Sequence, residues 1–141
     1  MTRVWIETVK AFLAAWGVTA VVFLVIDAIW LGLIATSFYA RALGDLMLEQ
    51  PKLGIAALFY IGYTFAVVLL VAAPAARSGS LGQALLYGAV FGLAAYGTYD
   101  ITNLSTLRNW PVAMSLADMA WGTFLTAVAA AAGSMTYRYV S

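Results

Sequence analysis

Four stretches of this chain are apolar over about the length a lipid bilayer demands, and they leave little room for any other fold. They run over about residues 11–35, 53–73, 81–99 and 111–133. A helix rising 1.5 Å per residue needs about 20 apolar residues to cross a hydrocarbon core about 30 Å thick. The three prolines punctuate the pattern. Pro51 precedes the second stretch, Pro74 is expected to end it, and Pro111 opens the fourth at a position where its missing N–H costs nothing. The expected fold is an all-α integral membrane protein: one domain over residues 1–141, folded as a four-helix antiparallel transmembrane bundle.

Composition agrees. Of 141 residues, 65% are hydrophobic and 9% are charged, where a soluble domain carries about 25% charged residues. A net charge of +1 provides no polybasic patch, so no nucleic-acid partner is expected. There is no cysteine and no histidine. Disulfides, iron–sulfur clusters, thiol chemistry and imidazole-based zinc, di-iron or haem sites are excluded. No metal site is expected, and no motif indicates a cofactor. The first apolar run is too long for the 7–15-residue core of a signal peptide and is read as a retained span.

The connections differ in character. Residues 75–80 make a tight polar turn, so the second and third spans are antiparallel neighbours. The longer connection Thr36–Lys52 carries Phe38, Leu43, Leu46 and Met47 at helical spacing, which points to an interfacial helix on the membrane surface. Arg3, Lys10, Arg77 and Arg138 stand on the terminal side against Arg41, Lys52 and Arg108 on the other. Four charges against three place both termini in the cytoplasm by a narrow margin. Gly88 and Gly92 form a GxxxG pair in the third span. It is read as packing inside the bundle, with a homo-oligomer face as the alternative.

Against this apolar background stand three carboxylates. Asp27 lies past the middle of the first span, Asp100 at the end of the third and Asp118 early in the fourth. Insertion of such a side chain costs about 2.5–3.5 kcal/mol, so each is expected to have a partner or a task. With four alternating spans all three fall in the same half of the bilayer, capped by residues 36–52 and 101–110. Tyr96, Asp100 and Asn103 share a helix face, as do Ser115, Asp118 and Gly122. Asp27 with Trp30 echoes Asp118 with Trp121: each indole lies one turn from a carboxylate and can donate to an acceptor. The expected site therefore comprises Asp27, Asp100 and Asp118 as catalytic carboxylates. Asn103, Thr102, Tyr96, Trp30, Trp121, Tyr63 and Arg108 form its ligand-binding wall. Tyr60 is a further candidate for the floor, Thr106 adds a hydroxyl at the rim, and Arg41 joins Arg108 as a counter-charge. The plainer reading makes the buried aspartates helix cross-links, leaves Asp100 solvated at the interface, and assigns Trp110 and Tyr137 to the interfacial aromatic belt.

The segment Tyr99-Asp100, Thr102-Asn103, Arg108, Trp110-Pro111, followed by Asp118-Met-Ala-Trp121-Gly122-Thr123, resembles a bacterial family of small membrane proteins, the domain-of-unknown-function family numbered twenty-one seventy-seven. Asp27, Trp30 and Gly32 also look like that family's first span. The resemblance implies a four-span protein of the bacterial inner membrane and brings no reaction. Three function classes follow from the residues. One binds or modifies a lipid or other apolar small molecule, with paired carboxylates as acid and base. Another is a proton- or cation-coupled transporter acting as an oligomer. The third is a structural or accessory subunit. Membrane lipids are the expected partners.

Overall fold

The computed structural model describes residues 2–141, without the side chains of Thr2, Arg3 and Ile34. Arg3, counted in the charge balance above, therefore lies outside the described side chains. The described chain is about 90% helical and contains no strand. Helix α1 (Thr2–Trp30) passes through a π-helical turn (Leu31–Ala35) into α2 (Thr36–Leu43), which ends in a short 3₁₀ turn (Gly44–Leu46). After an irregular stretch, α3 (Leu53–Val67) passes through a second π-helical turn (Val68–Ala72) into α4 (Ala73–Ser78). Helices α5 (Leu81–Thr106) and α6 (Val112–Val140) complete the chain.

Three helical runs are long and apolar enough to cross a membrane: Val4–Leu33, Leu53–Ser78 and Val112–Val140. The sequence expectation of four spans is corrected on this point. Helix α5 is 26 residues long, but Gln83, the tyrosines 87, 96 and 99, and four glycines dilute its aliphatic character. The outer faces of the spans are apolar. Leu33, Leu53 and Leu58 are 81%, 73% and 73% exposed, an arrangement that hydrocarbon tolerates and water does not.

Pro74 does not end the second span. It sits in the first turn of α4, inside a helical run that continues to Ser78. Proline removes one N–H and its ring crowds the carbonyl four residues back. The widened turn just before it relieves that conflict, with Ala73 N–H bonding to Val68 O five residues earlier. Gly79, at φ 73°, then closes α4 by donating to Ala75 and Ala76 carbonyls, and Ser80 caps α5 by accepting from Gln83 N–H at 3.1 Å.

The connection after the first span also departs from expectation. Its helix is a direct continuation of α1 and stops at Leu43, while Leu46 and Met47 lie beyond it and are exposed. The expected four-residue apolar stripe is thus broken. At the junction Thr36 satisfies Leu31 O twice, through its backbone N–H and its hydroxyl.

Close approach holds the bundle together. Helices α5 and α6 pack antiparallel along most of their length. A Cβ at Gly88 would stand 2.9 Å from Ala127 Cα, one at Gly92 would strike Gly122 O, and one at Gly122 would strike the Tyr96 ring. The Gly88–Gly92 pair is therefore buried against α6 within the chain. Gly133 similarly admits Thr19 of α1. Two clusters fill the interior. Ala11, Ala15, Ala72, Ala73, Ala76 and Tyr137 meet at the terminal end, and Phe23, Tyr63, Val67, Val71, Leu125 and Ala129 in the middle. Tyr137, expected in the interfacial belt, is 4% exposed and its hydroxyl accepts from Arg77 at 3.3 Å.

Arg138 donates to Gly79 O at 3.3 Å, which ties the end of α6 to the α4–α5 turn, and α1 begins at that same end. Both termini therefore lie at one end of the molecule. Tags on the N- and C-termini are expected to be reached by an impermeant reagent from the same face of the membrane. Labelling from opposite faces would contradict this fold.

Candidate functional site

The carboxylates lie at the opposite end from the termini. Asp27, on α1, is 6% exposed. Its Oδ1 accepts from Trp121 Nε1 of α6 at 3.0 Å and its Oδ2 from the Tyr60 hydroxyl of α3 at 3.3 Å. One side chain thus fastens three helices. Trp121 also stacks on Trp30, with ring centroids 4.5 Å apart and planes 12° from parallel. The two indoles read as echoes in the sequence are therefore one stack.

Asp118 is half-buried on α6 and accepts from the Tyr39 hydroxyl of α2. Burial, and then the adjoining Asp118 carboxylate, push the Tyr39 phenol above its ordinary range, so it remains a donor. Tyr39 did not figure in the sequence reading, for a geometric reason. It follows Asp27 by twelve residues, which in a straight α-helix at 100° per residue turns it about 120° away. The π-helical turn holds one extra residue. Eleven effective steps bring Tyr39 back within about 20° of the Asp27 face.

Two adjoining cavities meet at these residues. The larger, about 740 Å³, opens between α3 and α5, with Ile55, Ala56 and Phe59 on one wall, Ala95 on the other, and Lys52 at its mouth. The two helices meet through the Val68–Ala72 turn and diverge toward Leu53, which opens the crevice. The smaller, about 210 Å³, is lined by both Asp27 and Asp118, with Trp30, Trp121 and Tyr39 among its walls. Tyr60, Tyr96, Tyr99 and Asp118 belong to both linings. The arrangement is an apolar chamber leading to an aromatic pocket with carboxylates. Lys52 and Tyr99, like Tyr39, were not singled out from sequence as parts of a site. Lys52 and Tyr99 line the crevice between α3 and α5, and Tyr99 the smaller pocket as well.

The remaining candidates are placed as follows. Asp100 is completely buried beside Asp118 and Ser115, with no hydrogen bond of good geometry to either carboxylate oxygen, and lies outside the lining of both cavities. It is not solvated at the interface. Tyr63 lines the larger cavity, but its hydroxyl pairs with Thr126 at 2.8 Å. Asn103 is half-buried one turn beyond Asp100, outside the lining of both cavities. Thr102 is exposed and its hydroxyl donates to carbonyls of its own helix, as does that of Thr106. Arg108 and Arg41 are exposed, and neither forms an ion pair with an aspartate. Among the described residues the ion pair that forms is Lys10–Glu7. Trp110, expected in the interfacial belt, is 9% exposed and donates to Ser115 Oγ at 2.9 Å. Among the described residues no group of three or more acidic side chains converges closely enough to hold a metal ion.

A family model described as a predicted membrane protein, DUF2177, matches residues 12–135. No curated protein and no solved structure matches the chain.

Proposed function

The chain belongs to the DUF2177 family of predicted membrane proteins, and on that premise we propose that it binds a lipid or similar amphipathic molecule entering sideways from the bilayer. One observation carries this reading: the apolar crevice between α3 and α5 adjoins the pocket of Asp27 and Asp118, and Tyr60, Tyr96, Tyr99 and Asp118 line both. A ligand that fits both parts has a hydrocarbon tail and a polar head. The tail lies against Ile55, Ala56 and Phe59 and exchanges one apolar surrounding for another. The head reaches the polar partners gathered in the smaller pocket. Asp118 faces both chambers and contacts the head; Asp27, held by two donors, positions Trp121. In this reading α5 accompanies α6 through the membrane as the fourth member of an antiparallel bundle. The protein resides in a bacterial inner membrane with its termini in the cytoplasm.

The test fills the crevice. Ala56 lines it from α3 and belongs to neither interior cluster, so Ala56→Trp is expected to occupy the tail's volume without disturbing the fold. Native mass spectrometry of the purified full chain should show one lipid retained per wild-type chain and at least about tenfold less in Ala56→Trp, as expected when about 1.4 kcal/mol or more of binding is lost. Equal retention by a folded Ala56→Trp would overturn the reading.

A further inference from the structure

The inner pocket is one-sided in its chemistry. Its charged groups are Asp27 and Asp118, with Asp100 buried directly beside Asp118. No lysine or arginine among the described residues pairs with any of them. The rest of the wall is largely aromatic: stacked Trp30 and Trp121 with Tyr39, Tyr60, Tyr96 and Tyr99. Carboxylates and ring faces share one preference, since both attract a positive charge, and the attraction is strongest where water is excluded. Two further groups make no hydrogen bond of good geometry: Asp100, wholly buried beside Ser115 and Asp118, and Trp30 Nε1, buried beside Tyr39. A buried polar atom left unpaired costs about 1–3 kcal/mol; Trp30, unlike Asp100, lines the inner pocket, so its N–H is placed to meet an acceptor bound there.

Resting on the lipid-binding reading above, we propose that the pocket selects an alkylammonium head group, held by Asp118 and the Trp30–Trp121 stack, on a ligand whose chain lies in the crevice. A head carrying an acceptor oxygen as well would satisfy Trp30 Nε1. The ammonium can come from a zwitterionic phospholipid or from a simple long-chain amine. Lys52, at the crevice mouth, stands outside the inner pocket's lining and is placed to meet a phosphate when one is present.

The experiment compares four single-chain probes of equal chain length on the full-length protein held in amphipol. They are dodecyltrimethylammonium, lauroyl-lysophosphatidylcholine, lauroyl-lysophosphatidylglycerol and monolaurin, followed by quenching of tryptophan fluorescence and by native mass spectrometry. The two ammonium probes are expected to bind at least about tenfold more tightly than neutral monolaurin, and the anionic probe more weakly than either. Tighter binding of the phosphocholine probe than of the simple ammonium identifies a phospholipid source, and the reverse identifies an amine. Asp118→Asn is expected to remove the ammonium preference while monolaurin still binds. Trp30→Leu is read beside it, because a site that selects by ring faces loses preference there too. Equal affinity for neutral and ammonium chains, tightest binding of the anionic probe, or a preference unchanged in both variants would overturn the head-group assignment while leaving the crevice reading intact. Failure of every probe to bind would overturn both.

Discussion

Gly92→Leu is expected to abolish the folded protein. Its side chain would start at a Cβ that strikes the carbonyl oxygen of Gly122 and the Thr126 side chain. The first obstacle is backbone, which cannot rotate away. Overpacking a flexible site costs about 1–3 kcal/mol. Here α5 and α6 must separate along the interface that joins them most extensively, so a loss above about 4 kcal/mol is expected. Gly62→Leu is the control, because a Cβ there meets nothing within 4 Å. Denaturation in mixed micelles, followed by helix content and tryptophan emission, should find Gly62→Leu close to wild type and Gly92→Leu unfolded or aggregated. Comparable stability of the two would mean that the helices do not approach as described.

Removing the Asp27 carboxylate should produce the next largest effect, and its size should depend on the replacement. Asp27→Ala leaves Trp121 Nε1 and the Tyr60 hydroxyl facing apolar surroundings without an acceptor. Each stranded donor costs about 1–3 kcal/mol, so a loss of about 2–6 kcal/mol is expected for the two. Asp27→Asn keeps an acceptor oxygen for Trp121 Nε1, and its amide N–H can donate to a Tyr60 hydroxyl turned to accept, so both contacts survive and the loss should be no more than about 1 kcal/mol. Thermal unfolding in detergent, read by near-ultraviolet circular dichroism of the tryptophans, separates the two outcomes. Equal destabilisation by alanine and asparagine would show that the ionised charge, and not the hydrogen bonding, is what Asp27 contributes.

Three of the four expected apolar spans, and the aspartates, were legible in the sequence because each depends on local facts; the third run is too diluted by polar and small residues to count as a span. Helix follows from run length and from a backbone that must satisfy itself in lipid. The gathering of Asp27, Asp100 and Asp118 at one end follows from chain direction alone. The i, i+3 spacing of Trp30 to Asp27 and Trp121 to Asp118 marked the indoles as candidates but not their partners: Trp121 donates to Asp27 of another helix, Trp30 Nε1 bonds to neither aspartate, and the two rings stack on each other. The GxxxG pair was legible as a close approach, and α6 as its occupant was not.

Other features were decided by tertiary structure. Tyr39 joins Asp118 only because a π-helical turn shifts the phase of the helix after Trp30, and no periodicity in the sequence records one extra residue in a turn. The same device carries the second span past Pro74, where propensity alone would stop it. Arg108 and Thr102 have suitable chemistry but point to solvent or to their own helix. Whether a side chain faces a cavity depends on where the neighbouring helix lies. The crevice itself arises from the divergence of α3 and α5, a relation between two elements that neither contains. Apolar length and charge placement are properties of a segment, and the sequence by itself determined them. Helix phase, close approach and cavity shape depend on how segments press together, and only the folded chain decided them.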